Sequence, residues 1–402
     1  MRRFAWYGLI VGFIFFAIAD QAFGQLEGRM FLDKERYLVG EPVYLNFEIT
    51  NKGMEPVQFE SGSSYSFCGG YQIEVSIGAP IENSSCATGF AGSCLSGGWV
   101  VNPGEARKDR VLLNYEHDLS KTGIYTIYAS RTLNYGPPSK TFSDPGTLEQ
   151  IKIEGEFQIQ VEVGDDAMLA PIFQPFVADL ESKDEERQRE AARAIGSLAP
   201  AFLEDTILSM VNSRSTLPFA MLGLKHLNSA RSREALANII RNTSGYSYEK
   251  EQAIKDLSEM GDKKYFPLLL DEAKKWEPNQ ARDYVLAAAE LGGDDALPYV
   301  ISLLNSSNSF AQANGVMALG KTGSRQAVPL LIEFLRAEDE DIERLASSGL
   351  MQLTHGSPFE NGQLYSDSPS RTYNDWWRWW AVHEDTAPIF KPTECGAVEP
   401  LK

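Results

Sequence analysis

Three stretches decide the fold: "YFPLLLDEA" (265–273), "ALPYVISLL" (296–304) and "AVPLLIEFL" (327–335). Their prolines, Pro267, Pro298 and Pro329, stand 31 residues apart. Gly261, Gly292 and Gly323 keep that spacing, six residues ahead of each proline. Leu269, Val300 and Leu331 follow in register, as do Leu257, Ala288 and Leu319. A period of this length marks a stack of helix pairs. Proline suits the first turn of a helix, where its missing N–H costs nothing. The apolar run after it predicts a helix A. A polar turn follows ("EPNQ", "NSSNS", "AEDED"), and then a helix B with small residues on one side, as in "AAAELGG" and "VMALGKTG". Small side chains let neighbouring helices approach, and the closing glycine is expected in the left-handed conformation that ends a helix.

Weaker copies extend the array upstream. "IFQPFVADLESKDEERQREAARAIGSLAP", "LEDTILSMVNSRSTLPFAMLGLKHLNSA" and "REALANIIRNTSGYSYEKEQAIKDLSEMGD" share the same plan, which gives about six units over 165–356. From Pro171 to Gly356 the chain resembles HEAT repeats, the short bacterial kind also found in phycobilisome-lyase-like proteins. The lyase subset attaches bilins. Nothing beyond the repeat supports that chemistry in this sequence, so no cofactor is expected.

A stack of helix pairs leaves an apolar face at its end that needs a cover. "TYNDWWRWWAVHED" begins at Thr372 and holds Trp376, Trp377, Trp379 and Trp380. Asn374 is placed as an N-cap. The i,i+3 and i,i+4 spacing of the indoles then predicts a broad aromatic surface, read as a lid on the last unit. A Trp-rich final helix is also what the resemblance implies.

The first half has a different period. "YLVGEPVYLNFEITNKG" (37–53) places Val43, Leu45, Phe47 and Ile49 on one face and Tyr44, Asn46 and Glu48 on the other. Such alternation predicts a half-buried strand. "YQIEVSI", "RVLLNY", "GIYTIYASRTL" and "EFQIQVEV" repeat the pattern between Gly, Pro, Asn and Ser clusters, which predicts an antiparallel β-sandwich. "VGEPVYLNFEITNKG", "VNPGEARKDRVLL" and "TGIYTIYAS" resemble the phrases of immunoglobulin-like domains in exported bacterial proteins, a likeness that implies a fold and no activity.

The chain begins with Arg2 and Arg3, then the apolar run "LIVGFIFFAIA" and the small residues Ala22 and Gly24. That order reads as a signal peptide over 1–24, so the protein is expected to be exported, to the periplasm or beyond, without stable membrane insertion after cleavage. Export permits disulfides. Cys68, Cys86, Cys94 and Cys395 allow three pairings; Cys86 with Cys94 is the simplest, leaving Cys68 with Cys395.

The expected organisation is multidomain, all-β plus all-α: signal peptide 1–24, immunoglobulin-like sandwich 25–164, HEAT-like α-solenoid 165–356, a loop and Trp-rich capping helix 357–384, and a tail 385–402. A formal net charge of -18 argues against nucleic acid and anionic lipid as partners. His117, His226, His355 and His383 form no metal or catalytic motif, and neither a GxSxG elbow nor a phosphate loop is present. The acidic run "AEDEDIE" (337–343) reads as the start of a helix, favoured by its dipole, rather than a calcium loop.

Solvent-facing positions of successive B helices therefore attract attention. Gln252, Asp283 and Asn314 recur at the repeat spacing, with Arg282 and Arg344 beside the row. A partner protein or peptide is expected there, in a non-catalytic, scaffold-like role. Two alternatives stay open. One is an enzyme or enzyme subunit using the Cys/Gly-rich loop "APIENSSCATGFAGSCLSGGW" (79–99) or an inter-domain cleft. The other is a module that binds envelope glycans.

Overall fold

The computed structural model describes residues 21–23, 25–61, 70–77, 97–138, 148–354, 369–391 and 399–400. All four cysteines, His355 and most of the 79–99 loop lie outside them. The chain divides into two compact units, 1–202 and 203–402.

The first unit contains two sheets. One runs in the order β1 (Gln21–Phe23), β2 (Leu26–Leu32), β4 (Tyr44–Asn51), β8 (Ala106–Leu112), all antiparallel. The other runs β3 (Arg36–Leu38), β10 (Glu149–Glu162), β9 (Gly123–Gly136), β5 (Val57–Ser61), β7 (Gly97–Val101), with β6 (Tyr71–Ile77) also on β9. One pair, β3 with β10, is parallel. The predicted alternation holds: Val43, Leu45, Phe47 and Ile49 are buried, and they share one core with Phe59, Ile127, Ile151 and Ile153 of the other sheet. The "NKG" turn is fixed by Asn51, whose buried amide donates to the carbonyls of Glu55 (2.8 Å) and Val101 (3.0 Å) and accepts from the N–H of Gly53 (2.9 Å). Arg131 of β9 enters this core at 2 % exposure. Its guanidinium sits between the rings of Phe47 (4.3 Å) and Tyr71 (4.2 Å), donates to the Tyr71 hydroxyl (2.7 Å) and pairs with Asp109 (3.1 Å).

Tyr44 corrects the simple two-face reading. It was expected outward, yet it is buried. The first helix pair, α1 (Asp166–Asp179) and α2 (Glu185–Leu198), covers it. Phe176 stacks on Tyr44 at 6.4 Å, and Arg110 lies over the same ring at 4.4 Å while pairing with Glu190 of α2. The change from strand to helix thus falls near Gly164, while the compact unit continues to Phe202.

Five more pairs follow: α3 (Glu204–Met210) with α4 (Leu217–Leu227), α5 (Ala230–Asn242) with α6 (Tyr248–Glu259), α7 (Phe266–Ala273) with α8 (Arg282–Gly292), α9 (Leu297–Leu304) with α10 (Ser309–Lys321), and α11 (Ala327–Phe334) with α12 (Glu340–Thr354). Pro267 and Pro298 are the second residues of α7 and α9, and Pro329 the third of α11. These are matching places within the scatter of helix boundaries. Side-chain caps begin many of these helices; Ser229, Ser247 and Asn308 each accept a backbone N–H three residues on.

The glycine expectation holds in two of these three units. Gly261 (φ 73°) and Gly323 (φ 64°) have the positive φ expected. In the middle unit Gly292 is helical (φ −75°), and the positive φ falls on Gly293 (58°), whose ψ of −126° lies outside the left-handed helical region; Phe266 fills the space that a side chain on Gly292 would need. Small residues also permit close contact between B helices. A Cβ on Gly320 of α10 would stand 2.8 Å from the Cα of Gly349 of α12.

The Trp-rich segment forms α13 (Pro369–His383). Trp376 and Trp380 are buried. Tyr373 and Trp377 both donate to one carboxylate oxygen of Glu333 on α11, each at 3.2 Å, and Arg336 lies 3.9 Å over Tyr373. Asn374 is not its cap: the helix begins five residues earlier, at Pro369, and Asn374 is an exposed mid-helix residue. A short ladder, β11 (Phe390–Lys391) with β12 (Glu399–Pro400), follows.

Candidate partner-binding groove

The repeat spacing sets α6, α8 and α10 side by side as neighbouring B helices. Their inward residues are small or apolar, so the helices close upon Ala253, Ile254, Leu257, Ala288 and Leu319, all buried. Between their outer faces runs a groove of about 400 Å³. Tyr248, Glu251, Gln252, Asp283, Glu290 and Lys321 are among the residues that line it.

Two predicted positions meet there. Gln252 is half-buried and donates to Asp256 (2.9 Å). Asp283 is exposed in the first turn of α8. The other three do not join them. Arg282 is exposed outside the groove lining. Arg344 is exposed and pairs with Asp341 of its own helix (2.6 Å). Asn314 corrects the expected row: it is buried, and its amide donates to the Pro278 carbonyl at 2.7 Å. The reason is helix phase. α8 starts at Arg282, so Asp283 lies at its open end; α10 starts at Ser309, so Asn314 lies a turn inside, beneath the preceding unit's A–B turn.

Sequence reasoning missed the most unusual electrostatics. Glu251 of α6 and Asp283 of α8 line the same groove, close enough for their charges to interact. The pKa of Glu251 is raised, first by burial and then by the hydrogen-bonded, like-charged Asp283; the Tyr246 hydroxyl, which donates to Glu251 at 2.5 Å, acts against both. The Tyr246 ring meets Trp276 edge-on at 6.2 Å, and Trp276 stacks on Tyr284 at 5.3 Å. Burial, with the charge of Glu251 next, pushes the Tyr284 hydroxyl up to about 12. Alongside, Lys250 and Glu272 form a buried ion pair at 2.6 Å, and Lys250 also donates to the Thr243 carbonyl (3.1 Å). Burial alone would raise Glu272, but Lys250 and Lys275 overcome it and hold its carboxyl low. The signal for the missed part lies in "GYSYEKEQ" (245–252), where two tyrosines flank the N-cap Ser247 and both remain exposed.

His117 is half-buried in the first unit with its pKa lowered by desolvation, and His383 bonds to the Trp379 carbonyl (2.8 Å). Among the described residues no cluster of three or more His, Cys, Asp or Glu side chains is placed to hold a metal ion. Among them, too, no helix is long and apolar enough to cross a membrane.

Residues 266–350 match the family described as HEAT repeats, which spans α7 to most of α12. Among solved structures the chain is similar to the complex of CpcE and CpcF of phycocyanin lyase from Nostoc sp. PCC7120, at 15 % identity over 52 % of this chain and 83 % of that one, with a TM-score of 0.29. A mutant of Salmonella alpha-2-macroglobulin is similar at 12 % identity over 91 % of this chain and 28 % of that one, with a TM-score of 0.18. Both scores lie below what a shared overall fold requires. No curated protein matches the chain.

Proposed function

For a chain whose helical half carries HEAT repeats, we propose the role of a non-catalytic interaction scaffold that receives a partner protein in the groove over α6, α8 and α10. The groove carries this reading. Repeat solenoids present extended surfaces built from equivalent positions of successive units, and here two such positions, Gln252 and Asp283, open into one cavity. Export belongs to the same proposal. Cleavage after Gly24 removes β1 and leaves β2 as the edge of its sheet, and the oxidising setting then allows the four cysteines to pair.

Photo-crosslinking in the native host tests the groove. A benzophenone side chain replaces Lys255, which lines the groove, or Asp271, which is exposed on helix α7 of the same unit array. One dominant adduct from position 255 and none from 271 is expected. Equal labelling at both positions, or none at 255, removes the groove as the partner site. Sequencing the N-terminus of the mature protein tests export; an intact Met1 start refutes it.

A further inference from the structure

We propose that removal of β1 turns β2 into a dimerisation strand, which pairs antiparallel, centred on Gly28, with β2 of a second copy of this chain. This rests on the export reading, because processing after Gly24 is what frees the strand, and it goes further by naming what the freed strand binds.

The edge is able to accept a strand. β2 pairs with β4 along its whole length without a break in register, and on its other side β1 covers only Leu26, Glu27 and Gly28. It contains no proline. A freed edge of this kind presents N–H and C=O groups that another strand can complete. Phase fixes which residues supply them. In an antiparallel strand the N–H and C=O of one residue point to the same side, and the side alternates along the chain. The Gln25 carbonyl accepts from the N–H groups of Lys52 (2.6 Å) and Gly53 (3.1 Å), on the β4 side. Opposite Leu26 stands Asn51, which donates to the Glu105 carbonyl (3.0 Å) and accepts from the Gly104 N–H (2.8 Å), away from β2. Leu26, Gly28 and Met30 therefore turn their backbone groups to the edge that β1 vacates, and Glu27 and Arg29 turn theirs to β4.

Phase and side chains together select one register. A second copy meets β2 across a two-fold axis, so the same strand lies on both sides of the junction. Hydrogen bonds form only where edge-facing residues oppose one another. Centring on Gly28 opposes Leu26 to Met30 of the second copy, and twice sets Glu27 against Arg29 of the second copy. Centring on Glu27 or on Arg29 would set that residue against itself, and centring on Met30 would set Glu27 against Asp33; like charges directly opposite are destabilising. The selected register also extends a pattern present within one copy. Lys108, Glu48 and Arg29 lie in a row across β8, β4 and β2, with Glu48 bridging to Lys108 at 3.5 Å and to Arg29 at 3.0 Å. Glu27 of the second copy continues the alternation of sign. Glu27 bridges to Lys52 at 3.1 Å, yet the side chains of Glu27 and Arg29 are each 40 % exposed and so within reach of another chain.

The test takes the protein as its host exports it. Its N-terminus is sequenced first, and sedimentation equilibrium at micromolar loading then reads the mass. A chain that starts at Gln25 is expected to be a dimer. Glu27→Arg opposes two positive charges at both ends of the junction, and Arg29→Glu two negative ones; each is expected to raise the dimer dissociation constant about tenfold or more. Mixed, the two variants are complementary at both positions and are expected to form a heterodimer. Glu181→Arg makes the same change of net charge as Glu27→Arg at an exposed position outside β2 and is expected to leave the dimer intact. Far-UV circular dichroism checks that each variant folds. Should Arg29→Glu unfold, because it stands opposite Glu48, Glu27→Arg, opposite Thr50, decides alone. An intact Met1 start ends the export reading and this inference with it. A start at Gln25 with the mass of a monomer overturns the inference and leaves export standing. So does a dimer that Glu27→Arg leaves unchanged, equal weakening by Glu181→Arg, or folded variants that fail to pair when mixed.

Discussion

In the sandwich, the guanidinium of Arg131 is removed from water and fully answered: Asp109 supplies the opposite charge, Tyr71 an acceptor, and two aromatic faces the packing. In the helical repeats, Glu251 and Asp283 meet with the same charge and no basic partner among the described residues. The first takes an ionisable group out of bulk solvent; in the second Glu251 is half-buried and Asp283 is exposed. Only the first is self-sufficient. A buried charge with its partner in place holds a core in one register, whereas two like charges set together cost stability while both are ionised. Lys250 and Glu272 sharpen the contrast, because they show that the repeats also pair a buried charge where structure alone is at stake.

That difference is easiest to break at Arg131. Arg131→Met keeps the bulk but strands Asp109 and the Tyr71 hydroxyl, and is expected to cost about 3–5 kcal/mol of sandwich stability, the usual penalty for removing one member of a buried pair. Denaturant unfolding followed by far-UV circular dichroism measures it. A loss under about 1 kcal/mol would place the pair among surface bridges and undo the contrast.

Lys250→Met is expected to cost less, about 2–3 kcal/mol, because Lys275 still reaches Glu272 at 2.6 Å. Here the sign with pH is definite. The folded-state pKa of Glu272 is depressed, so its contribution is present above the ordinary carboxylate range and is lost as pH falls through the folded value. The gap between wild type and Lys250→Met should therefore narrow on acidification; a gap independent of pH would assign the loss to packing.

Packing between repeats gives the next effect. Gly320→Ala places a methyl 2.8 Å from the Cα of Gly349 and is expected to cost about 1–3 kcal/mol by pushing α10 from α12. Thermal melting of the variant reads it directly, and an unchanged midpoint would mean that the two helices have room to separate.

What could be read in the sequence follows from where each interaction's partners lie. The helix pairs were legible because proline, glycine and leucine recur at a fixed spacing, and each mark acts within its own unit. The strands were legible from parity, which also carries Arg131 inward with Tyr125, Ile127, Ala129 and Leu133. Its partners were not, since Asp109 and Tyr71 come from two other strands. Tyr44 defeated parity because a helix pair covers the second face of its sheet. Asn314 defeated the repeat register because α10 begins earlier in its unit than α8 does, so equal spacing does not mean equal exposure. Glu251 and Asp283 occupy different rows of the repeat, and only the lateral packing of α6 on α8 brings them together.

The smallest expected effect has the opposite sign to all the others. The folded-state pKa of Glu251 is raised, first by burial and then by Asp283. Between the ordinary carboxylate range and that raised value the folded state binds more protons than the unfolded one, so stability falls as pH rises through the window and the penalty persists above it. Glu251→Gln removes the charge and keeps a group of the same shape beside Tyr246. It is expected to raise the melting temperature at neutral pH by roughly 1–3 °C, a modest figure because solvent screens a half-exposed pair. The gain should vanish in acid, where the wild-type carboxyl is already protonated. A Glu251→Gln chain that melts earlier than wild type at neutral pH would instead mean that Glu251 supports the repeat as Asp109 supports the sandwich.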